Sequence, residues 1–232
     1  MERSTGSMGS EYRSFHIDPE ALPLFKDFDW NSLARRVFID PVTGLIALMT
    51  PSSQHEGYAG GADRLVEALD RKYNLRAILL RSTRWRRSSD PKNTGAEPDA
   101  SFYLGDKAER RAYARLAGEE ALEAFEAATP PDLVVEVEHS RGDEAKLRFY
   151  RELGVPEMWR IDIADARREV VILNLQAPDG PAALSASTVL PLCTPDFVLE
   201  ALELAVDGRI RELDALIGRQ AETEAREARG GR

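Results

Sequence analysis

The sequence has very little cysteine, since Cys193 is the single cysteine among 232 residues. One thiol excludes an intrachain disulfide framework and a zinc cluster of several thiolates, and it fits a reducing cytoplasm. No run approaches the roughly 18 consecutive apolar residues of a membrane-spanning helix, so no membrane partner is expected. The Ser/Gly-rich N-terminus lacks the apolar core of a secretory signal, and residues 1–14 are predicted to form a flexible leader.

Positive charge is outnumbered, since 31 Lys and Arg stand against 40 Asp and Glu. The net charge is −9 and the isoelectric point is near 5.0, which argues against non-specific coating of nucleic acid but leaves room for a local basic groove. Apolar residues make up 43% and charged residues 31% of the chain, a mixture that excludes extended disorder and fibrous repeats. A chain of this length suffices for one well-cored domain, or at most two small ones.

The order of apolar runs and breakers predicts an α/β fold. Val37–Ile39 and Leu45–Met49, joined by a loop that contains glycine, predict a β-hairpin. Hydroxyl side chains then cap a helix predicted over 54–72, whose glycines allow close backbone packing. Strands are further predicted at 75–80, 100–104, 132–138, 155–163 and 169–175, and helices at 107–128, from Ser140 to Gly154, from Thr194 to Asp207 and at 210–226.

The strand at Leu133–Val137 combines aliphatic residues, which predict burial on both faces, with negative charge. Because side chains alternate along a strand, Asp132, Glu136 and Glu138 share one face. An ionised carboxylate out of water costs several kcal/mol unless it is paired or bound to metal, so this strand is a candidate functional site. The alternative is that Asp132 and Glu138 lie at solvated strand ends and Glu136 pairs with one cation.

Two further residues are expected to converge on this strand. Asp99 begins a neighbouring short strand after a proline, and Lys146 lies on the helix that follows Glu136. A strand-to-helix return of this length can bring the lysine back over the carboxylates. Oxygen ligands of this kind suit Mg²⁺ or Mn²⁺, and the lysine would place a cation near a metal-activated water or a developing phosphorane.

Four sequence blocks follow one another in a specific order: Glu97–Tyr103 (EPDASFY), Pro131–Val137 (PDLVVEV), Lys146 with Tyr150, and Gly154–Arg160 (GVPEMWR). Together they resemble the Uma-two family of predicted endonucleases, a branch of the PD-(D/E)XK nuclease superfamily. The resemblance extends from about Phe38 to Phe197, and the four blocks in order are more specific than any one of them.

The resemblance implies a restriction-endonuclease-like core, with a mixed central β-sheet flanked by helices, to which the sequence adds a helical C-terminal extension. It implies that Asp99 and Glu136 are the motif acids that hold Mg²⁺ or Mn²⁺, with the Val137 carbonyl as a third oxygen. The superfamily lysine would fall two residues after Glu136, where this sequence has Glu138. The family branch places the lysine on the following helix, as Lys146, which would orient the attacking water, and Glu138 is a candidate for deprotonating that water.

Other candidates surround this set. His55 and Glu56, at the start of the first long helix, and Asp132 are candidate supporting residues, although an acid at a helix start is also favoured by the helix dipole. The most basic stretch is a candidate nucleic-acid contact, with phosphates on its arginines and a base stacked on its tryptophan. Its alternative is a solvated hairpin that offsets nearby acids. The stretch comprises Arg81, Arg84, Trp85, Arg86 and Arg87.

These features predict a metal-dependent endonuclease that hydrolyses phosphodiester bonds, with DNA as the favoured substrate and RNA left open. The nuclease-like domain is expected over residues 15–208, followed by a charged helix or tail over 209–232. One alternative is a nucleic-acid-binding or regulatory protein that kept the fold without cleaving. Another is an assembly protein that forms a homodimer through an apolar stripe of Ile210, Leu213, Leu216 and Ile217.

Overall fold

The computed structural model describes residues 11–25, 27–81, 83–87, 94–138, 144–164 and 168–230. Short 3₁₀ helices lie at Pro19–Phe25 and Trp30–Ser32. The strands are β1 (Glu11–His16), β2 (Arg36–Asp40), β3 (Leu45–Thr50), β4 (Ile78–Leu79), β5 (Ala100–Tyr103), β6 (Leu133–Glu138), β7 (Glu157–Asp162), β8 (Glu169–Asn174) and β9 (Ala182–Leu184). The α-helices are α1 (Ser53–Tyr73), α2 (Gly105–Ala117), α3 (Glu119–Ala128), α4 (Glu144–Leu153), α5 (Pro195–Val206) and α6 (Ile210–Gly230).

The central sheet has six strands in the order β4-β5-β6-β7-β8-β9. β6 and β7 run parallel and are connected through α4, whereas the other neighbours pair antiparallel. A parallel pair needs a crossover of this kind, since a tight turn cannot join strands that point the same way. The predicted α/β fold with a mixed central sheet flanked by helices is confirmed.

Both faces of β6 are covered, as its aliphatic sequence predicted. Leu133, Val135 and Val137 pack in the cluster that also contains buried residues of α1, α5 and α6. Val134 packs on the opposite face with Phe149 and other residues of the α4 layer. Glu136 and Glu138 belong by alternation to this second face, so the acids of β6 lie under α4 and not under α1.

A second sheet of three strands, in the order β1-β3-β2, contains the predicted hairpin. Gly44 in the hairpin loop has a φ of +71°, and a Cβ there would lie 1.8 Å from the Ile17 carbonyl oxygen, so only glycine fits. Phe38 and Ala47 pack in the same cluster as Val134 and Phe149. The small sheet therefore lies on the α4 side of the central sheet.

The first long helix is positioned by its cap and by its glycines. The Ser52 side chain accepts a hydrogen bond from His55 N at 3.2 Å, which satisfies one free donor of the helix start. A Cβ on Gly61 would lie 3.3 Å from Leu202 Cδ2 of α5. The predicted close packing is thus found at Gly61, against α5, whereas a Cβ on Gly60 would meet no atom within 4 Å.

Four local expectations differ from the structure. β1 begins at Glu11, inside the predicted leader of residues 1–14, and pairs with β3. The helix predicted over 107–128 is interrupted at Gly118, whose φ of +121° is incompatible with a continuing α-helix. The strand predicted at 75–80 is reduced to β4, and β9 was not predicted. The predicted helix start at Ser140 and Asp143 lies outside the described residues.

The C-terminal helix is part of the same packed unit. Leu213, Leu216 and Ile217 are buried in the cluster formed with α1 and α5. The apolar stripe proposed as a dimer contact is therefore covered by the chain itself, because these side chains complete the core, and this basis for a homodimer is corrected. In the part of the chain that the structure describes, no helix is long and apolar enough to cross a membrane.

Candidate active site

Asp99, the residue just before β5, lies beside Glu136 of the neighbouring strand β6. Asp99 N donates a hydrogen bond to the Val135 carbonyl at 2.9 Å, and the next residue, Ala100, pairs with Val135. This register places Asp99 opposite Glu136 on the α4 face of the sheet. Asp99 is 5% exposed and Glu136 is 1% exposed. Two carboxylates are thus held close together in the interior, where each needs a counter-charge.

Two residues of α4 satisfy Glu136. Lys146 Nζ donates to Glu136 Oε2 at 2.7 Å, and Tyr150 Oη donates to Glu136 Oε1 at 2.6 Å. They are four positions apart, so they project from the same helix face. Burial, followed by the neighbouring Glu136 charge, raises the pKa of Tyr150 well above its usual value, so its hydroxyl remains a donor. The structure brings Lys146 to Glu136, and the same contact matches the alternative that Glu136 pairs with one cation.

Asp99 is satisfied by different partners. Val137 N donates to Asp99 Oδ2 at 2.5 Å, and His55 Nε2 lies 3.2 Å from the same oxygen. The guanidinium of Arg36, from β2, contacts Asp99 Oδ1 through Nη1 and donates to Glu56 Oε1 through Nη2 at 2.9 Å. His55 and Glu56 are therefore both brought to this site by the start of α1.

The oxygen atoms at this site are of the type that binds Mg²⁺ or Mn²⁺. Mg²⁺ needs only one or two protein carboxylates because it retains several waters. The N–H and C=O of one strand residue point to the same side, so the Val137 carbonyl points toward Asp99, past the end of β5. Within the described ranges, no group of three or more His, Cys, Asp and Glu side chains forms a metal cage. The oxygen chemistry is that of a partly hydrated Mg²⁺ or Mn²⁺ site, and both carboxylates already contact protein donors.

Asp132 does not join this group. Its carboxylate accepts a hydrogen bond from Leu104 N at 2.8 Å and lies 3.0 Å from Lys107 Nζ, next to the start of α2. A strand rises about 3.3 Å per residue, so Asp132 is about 13 Å from Glu136 along β6. The expectation that Asp132 supports the site is corrected, because it links the start of β6 to α2.

Glu138 is the last residue of β6 and is half-buried. Its main-chain oxygen accepts a hydrogen bond from Ile163 N at 2.8 Å, which holds the end of the strand against β7. Its side chain lies on the same face of the sheet as Glu136, two residues closer to the end of the strand. A role in deprotonating water remains a prediction for this residue.

The basic stretch is largely occupied by contacts within the protein. Trp85 is 3% exposed and donates from Nε1 to Ser101 Oγ at 3.2 Å, so its ring is not accessible to a nucleotide base. This corrects the stacking role predicted for it. Arg84 Nη2 lies 2.6 Å from Glu97 Oε1. Three arginines of this stretch offset acids, as in the alternative: Arg81 pairs with Asp63, Arg84 with Glu97, and Arg87 with Asp40 and Glu152. Arg86 is half-buried.

The sequence did not indicate three residues that the structure places here. Arg36 lies far from the motif blocks, and only the packing of the small sheet brings it to Asp99. Tyr150 was named as part of a motif block, and the structure shows it as a buried residue whose hydroxyl also bonds Glu136. Glu97, two residues before Asp99, was quoted only as part of a motif block. Together with Tyr12, the residues Arg36, Glu97 and Lys146 line a narrow cleft beside the buried acids.

One comparison with known proteins shows the family. A model of the Uma2 family, described as "Putative restriction endonuclease", matches residues 30–210. The chain is also similar to the crystal structure of a "putative nuclease" from Anabaena variabilis, with 14% sequence identity and a TM-score of 0.46. That similarity covers 73% of this chain and 90% of the other. Comparison with curated proteins gives no match.

Proposed function

The chain belongs to the Uma2 family of restriction-endonuclease-like proteins, and from this premise we propose that it is a metal-dependent endonuclease that hydrolyses phosphodiester bonds, with DNA as its substrate. One observation carries the proposal. Asp99, just before β5, lies beside Glu136 of β6, and a lysine from the following helix contacts Glu136 at 2.7 Å. Buried acids beside a cation contribute little to the stability of the fold, because their desolvation is costly. Such groups are typical of sites that carry out phosphoryl chemistry.

The residues of the site fall into two groups, those that would bind the metal ion and those that would hold these ligands in place. Asp99, Glu136 and the Val137 carbonyl would hold Mg²⁺ or Mn²⁺. When bound, such an ion supplies Lewis-acid polarisation of a phosphoryl oxygen and lowers the pKa of its water. His55 and Glu56 would support this set through Asp99 and Arg36, which they contact. Tyr150 would hold the orientation of Glu136 through its hydrogen bond.

In the proposed reaction, a water oxygen forms a bond to phosphorus while the bond from phosphorus to the leaving sugar oxygen breaks. The products are one phosphate-terminated end and one hydroxyl-terminated end. Lys146 would orient the water and offset the negative charge that develops on phosphorus. Glu138, at the end of β6, would accept the proton of the water. The leaving oxygen would take its proton from solvent.

Cleavage of plasmid DNA, single-stranded DNA and RNA with Mg²⁺ or Mn²⁺ tests the proposal. The test variant is Lys146→Met, and the matched control is Lys107→Met, because Lys107 pairs with Asp132 at the opposite end of β6. Loss of one stabilising donor costs roughly 10²–10³-fold in rate, so we expect this loss for Lys146→Met and wild-type cleavage for Lys107→Met. Near wild-type cleavage by Lys146→Met would remove Lys146 from the mechanism.

Thermal melts with EDTA and with Mn²⁺ give a second readout that does not need activity. Removing Lys146 leaves a buried carboxylate without its cation, which costs about 3–5 kcal/mol in the metal-free protein. Bound metal would replace that charge, so Lys146→Met should gain more stability from Mn²⁺ than the wild type does. Glu136→Gln should lose the gain from Mn²⁺. Metal responses that are equal in all three proteins would contradict the metal site.

A nucleic-acid-binding protein that does not cleave is the second candidate function. It is favoured by the contact between Arg36 and Asp99, because a guanidinium there supplies the positive charge that a metal ion would otherwise bring. This candidate predicts binding to DNA with no cleavage under any metal, and no stabilisation by Mn²⁺. The melts and the cleavage assay together separate the two functions.

A further inference from the structure

Arg160 lies in the row of charged residues that crosses the site. In the parallel pairing of β6 with β7, its Cα is the partner of Glu136, and Val171 of β8 is its partner on the other side. Asp99 lies opposite Glu136 on the β5 side. An acid just before β5, an acid of β6 and an arginine of β7 therefore lie at the same level of the sheet.

The side chain of Arg160 is on the same face as these acids. Met158, two residues earlier, packs in the α4 layer with Val134 and Tyr150. Trp159 and Ile161 pack in the cluster on the opposite face. Alternation along β7 therefore directs Arg160 to the face that holds Glu136 and Lys146.

Arg160 differs from the other arginines near the site. Arg36, Arg84, Arg87 and Arg148 each contact a carboxylate. Among the described residues, none of the acids comes within salt-bridge distance of Arg160, although it is half-buried. Both oxygens of its register neighbour, Glu136, are taken by Lys146 and Tyr150. None of its nitrogen atoms is among the buried polar atoms left without a hydrogen bond, so the guanidinium keeps contact with solvent, where an anionic ligand can reach it.

We propose that Arg160 binds a backbone phosphate of the nucleic-acid strand that occupies the Glu136 site. The inference rests on the proposed function, because it takes a phosphodiester as the substrate. Neighbouring strands are about 4.8 Å apart, which is within the reach of an arginine side chain, so Arg160 can contact a phosphate held over Glu136. The planar guanidinium donates two parallel hydrogen bonds to phosphate oxygens, a geometry that lysine cannot reproduce.

Fluorescence anisotropy of labelled single-stranded and duplex DNA in EDTA, over a series of salt concentrations, tests this contact. Each phosphate contact contributes about 0.7–0.9 to the slope of log affinity against log salt. We expect Arg160→Met to bind roughly tenfold more weakly, with a slope smaller by about that amount, independently of sequence. Arg160→Lys should recover most of the slope and only part of the affinity. With metal, the half-saturating DNA concentration should rise more than the maximal rate falls.

Arg71→Met is the matched control because it makes the same change in net charge. Arg71 is in the last turn of α1, paired with Asp214 on the surface. A helix rises 1.5 Å per residue, so Arg71 is about 24 Å from His55 at the site end of α1. This control should bind DNA as the wild type does. Arg160→Met should melt no lower than the wild type, because it breaks no ion pair.

The outcomes separate this inference from the proposed function. If the wild type binds and cleaves DNA and Arg160→Met binds like Arg71→Met, the phosphate contact is overturned and the nuclease function stands. If the wild type binds without cleaving and Arg160→Met binds more weakly, the contact stands and the cleavage function fails. A large loss of thermal stability in both Arg160 variants would assign the residue to the scaffold instead. A wild type without affinity for DNA or RNA overturns both.

Discussion

At the scale of single residues, Glu136 is held by tightly defined contacts. It is buried, and its two oxygens receive one charged and one neutral donor from α4. Tyr150 thereby has two roles, since its ring fills the core under α4 and its hydroxyl holds Glu136 in place. In metal sites, a side chain that hydrogen-bonds to a metal ligand changes the affinity of the site for the metal without touching the metal.

Tyr150→Phe should reduce both stability and metal affinity. A hydrogen bond to a charged group contributes about 1.5–3 kcal/mol, which corresponds to a melting temperature lower by roughly 3–12 °C for a chain of this size. The metal affinity should fall by roughly 10–100-fold, as for other partners of metal ligands. Thermal melts and calorimetric titration with Mn²⁺ measure the two effects.

Tyr103→Phe is the control for this prediction. Tyr103 is also fully buried, and its hydroxyl donates to the Thr129 carbonyl, away from the site. Both variants should lose stability, but the control should retain the metal affinity of the wild type. An equal loss of metal affinity in the two variants would show that the effect is a general loosening of the core.

At the scale of secondary-structure elements, Asp40 joins three segments that flank the site. It ends β2, and its carboxylate receives hydrogen bonds from Val42 N at 3.0 Å and Thr43 Oγ1 at 2.7 Å. Arg148 of α4 and Arg87 of the basic stretch also contact it. Burial alone would raise the pKa of Asp40, but the hydrogen bonds from Thr43, Val42 and Arg148 outweigh it, so the pKa is lowered.

Asp40→Asn should therefore destabilise the protein at neutral pH and much less in acid. Because the folded pKa lies below the unfolded value of about 3.9, the carboxylate stabilises the fold fully above that value. This contribution is lost as the pH falls through the folded pKa. We expect a cost of about 1.5–3 kcal/mol at pH 7, measured by denaturant unfolding, that shrinks below about pH 4.

Asp214→Asn provides the comparison, since Asp214 pairs with Arg71 and both side chains are more than half exposed. Exposed pairs contribute about 0–1 kcal/mol, so this variant should unfold close to the wild type. If the cost of Asp40→Asn stays constant down to pH 3, the carboxylate charge is not the source of the stabilisation.

The sequence predicted the helices and strands that are marked by their own local residue pattern. The hairpin of β2 and β3, the capped helix α1 and the strand β6 were each marked in two ways. A turn or capping residue bounds the segment, and the spacing of its apolar residues suits one type of secondary structure. β1 and β9 were missed because their described residues are mostly exposed, carry no buried apolar run and become strands only by pairing with β3 and β8. The break at Gly118 was missed because the residues on either side of it are strong helix formers.

At the scale of the whole molecule, α6 divides into a part that completes the core and a part that extends from it. Leu213, Leu216 and Ile217 are buried, whereas Arg219 and residues 222–226 are exposed. Ala221 packs partly against the core. The boundary predicted at residue 209 therefore separates the charged end from the fold too early in the chain.

Deleting residues 219–232 should leave the fold intact. Among the side chains described over 219–226, the one that packs on the core is the small Ala221, so the expected loss is under about 1 kcal/mol, or about 2–4 °C in melting temperature for a chain of this size. Differential scanning calorimetry of the truncated protein measures it. Truncation before Leu213 is the contrasting variant, and it should reduce soluble yield, because it removes three core side chains. A similar collapse after the shorter deletion would assign the tail to the core.

The candidate site was predictable to the extent that it is local in sequence. Glu136 and Lys146 belong to one strand-helix unit, and their separation of 10 positions was enough to expect contact. Arg36 reaches Asp99 only because the small sheet packs on the central one, and no local pattern encodes that arrangement. The burial of Trp85 was likewise decided by the packing of Tyr103 against it.

The distribution of the site along the chain has a consequence for how the protein folds. The pair of Lys146 with Glu136 closes a short loop, so it can form early, together with the β6–α4 unit. Arg36 meets Asp99 only after a much longer loop has closed, and such contacts form slowly because the entropy of closure is lost before they stabilise anything. A refolding chain should thus regain its helices before it regains the complete site. The small sheet, the part of the fold that delivers Arg36, is where the site would first be lost by partial unfolding.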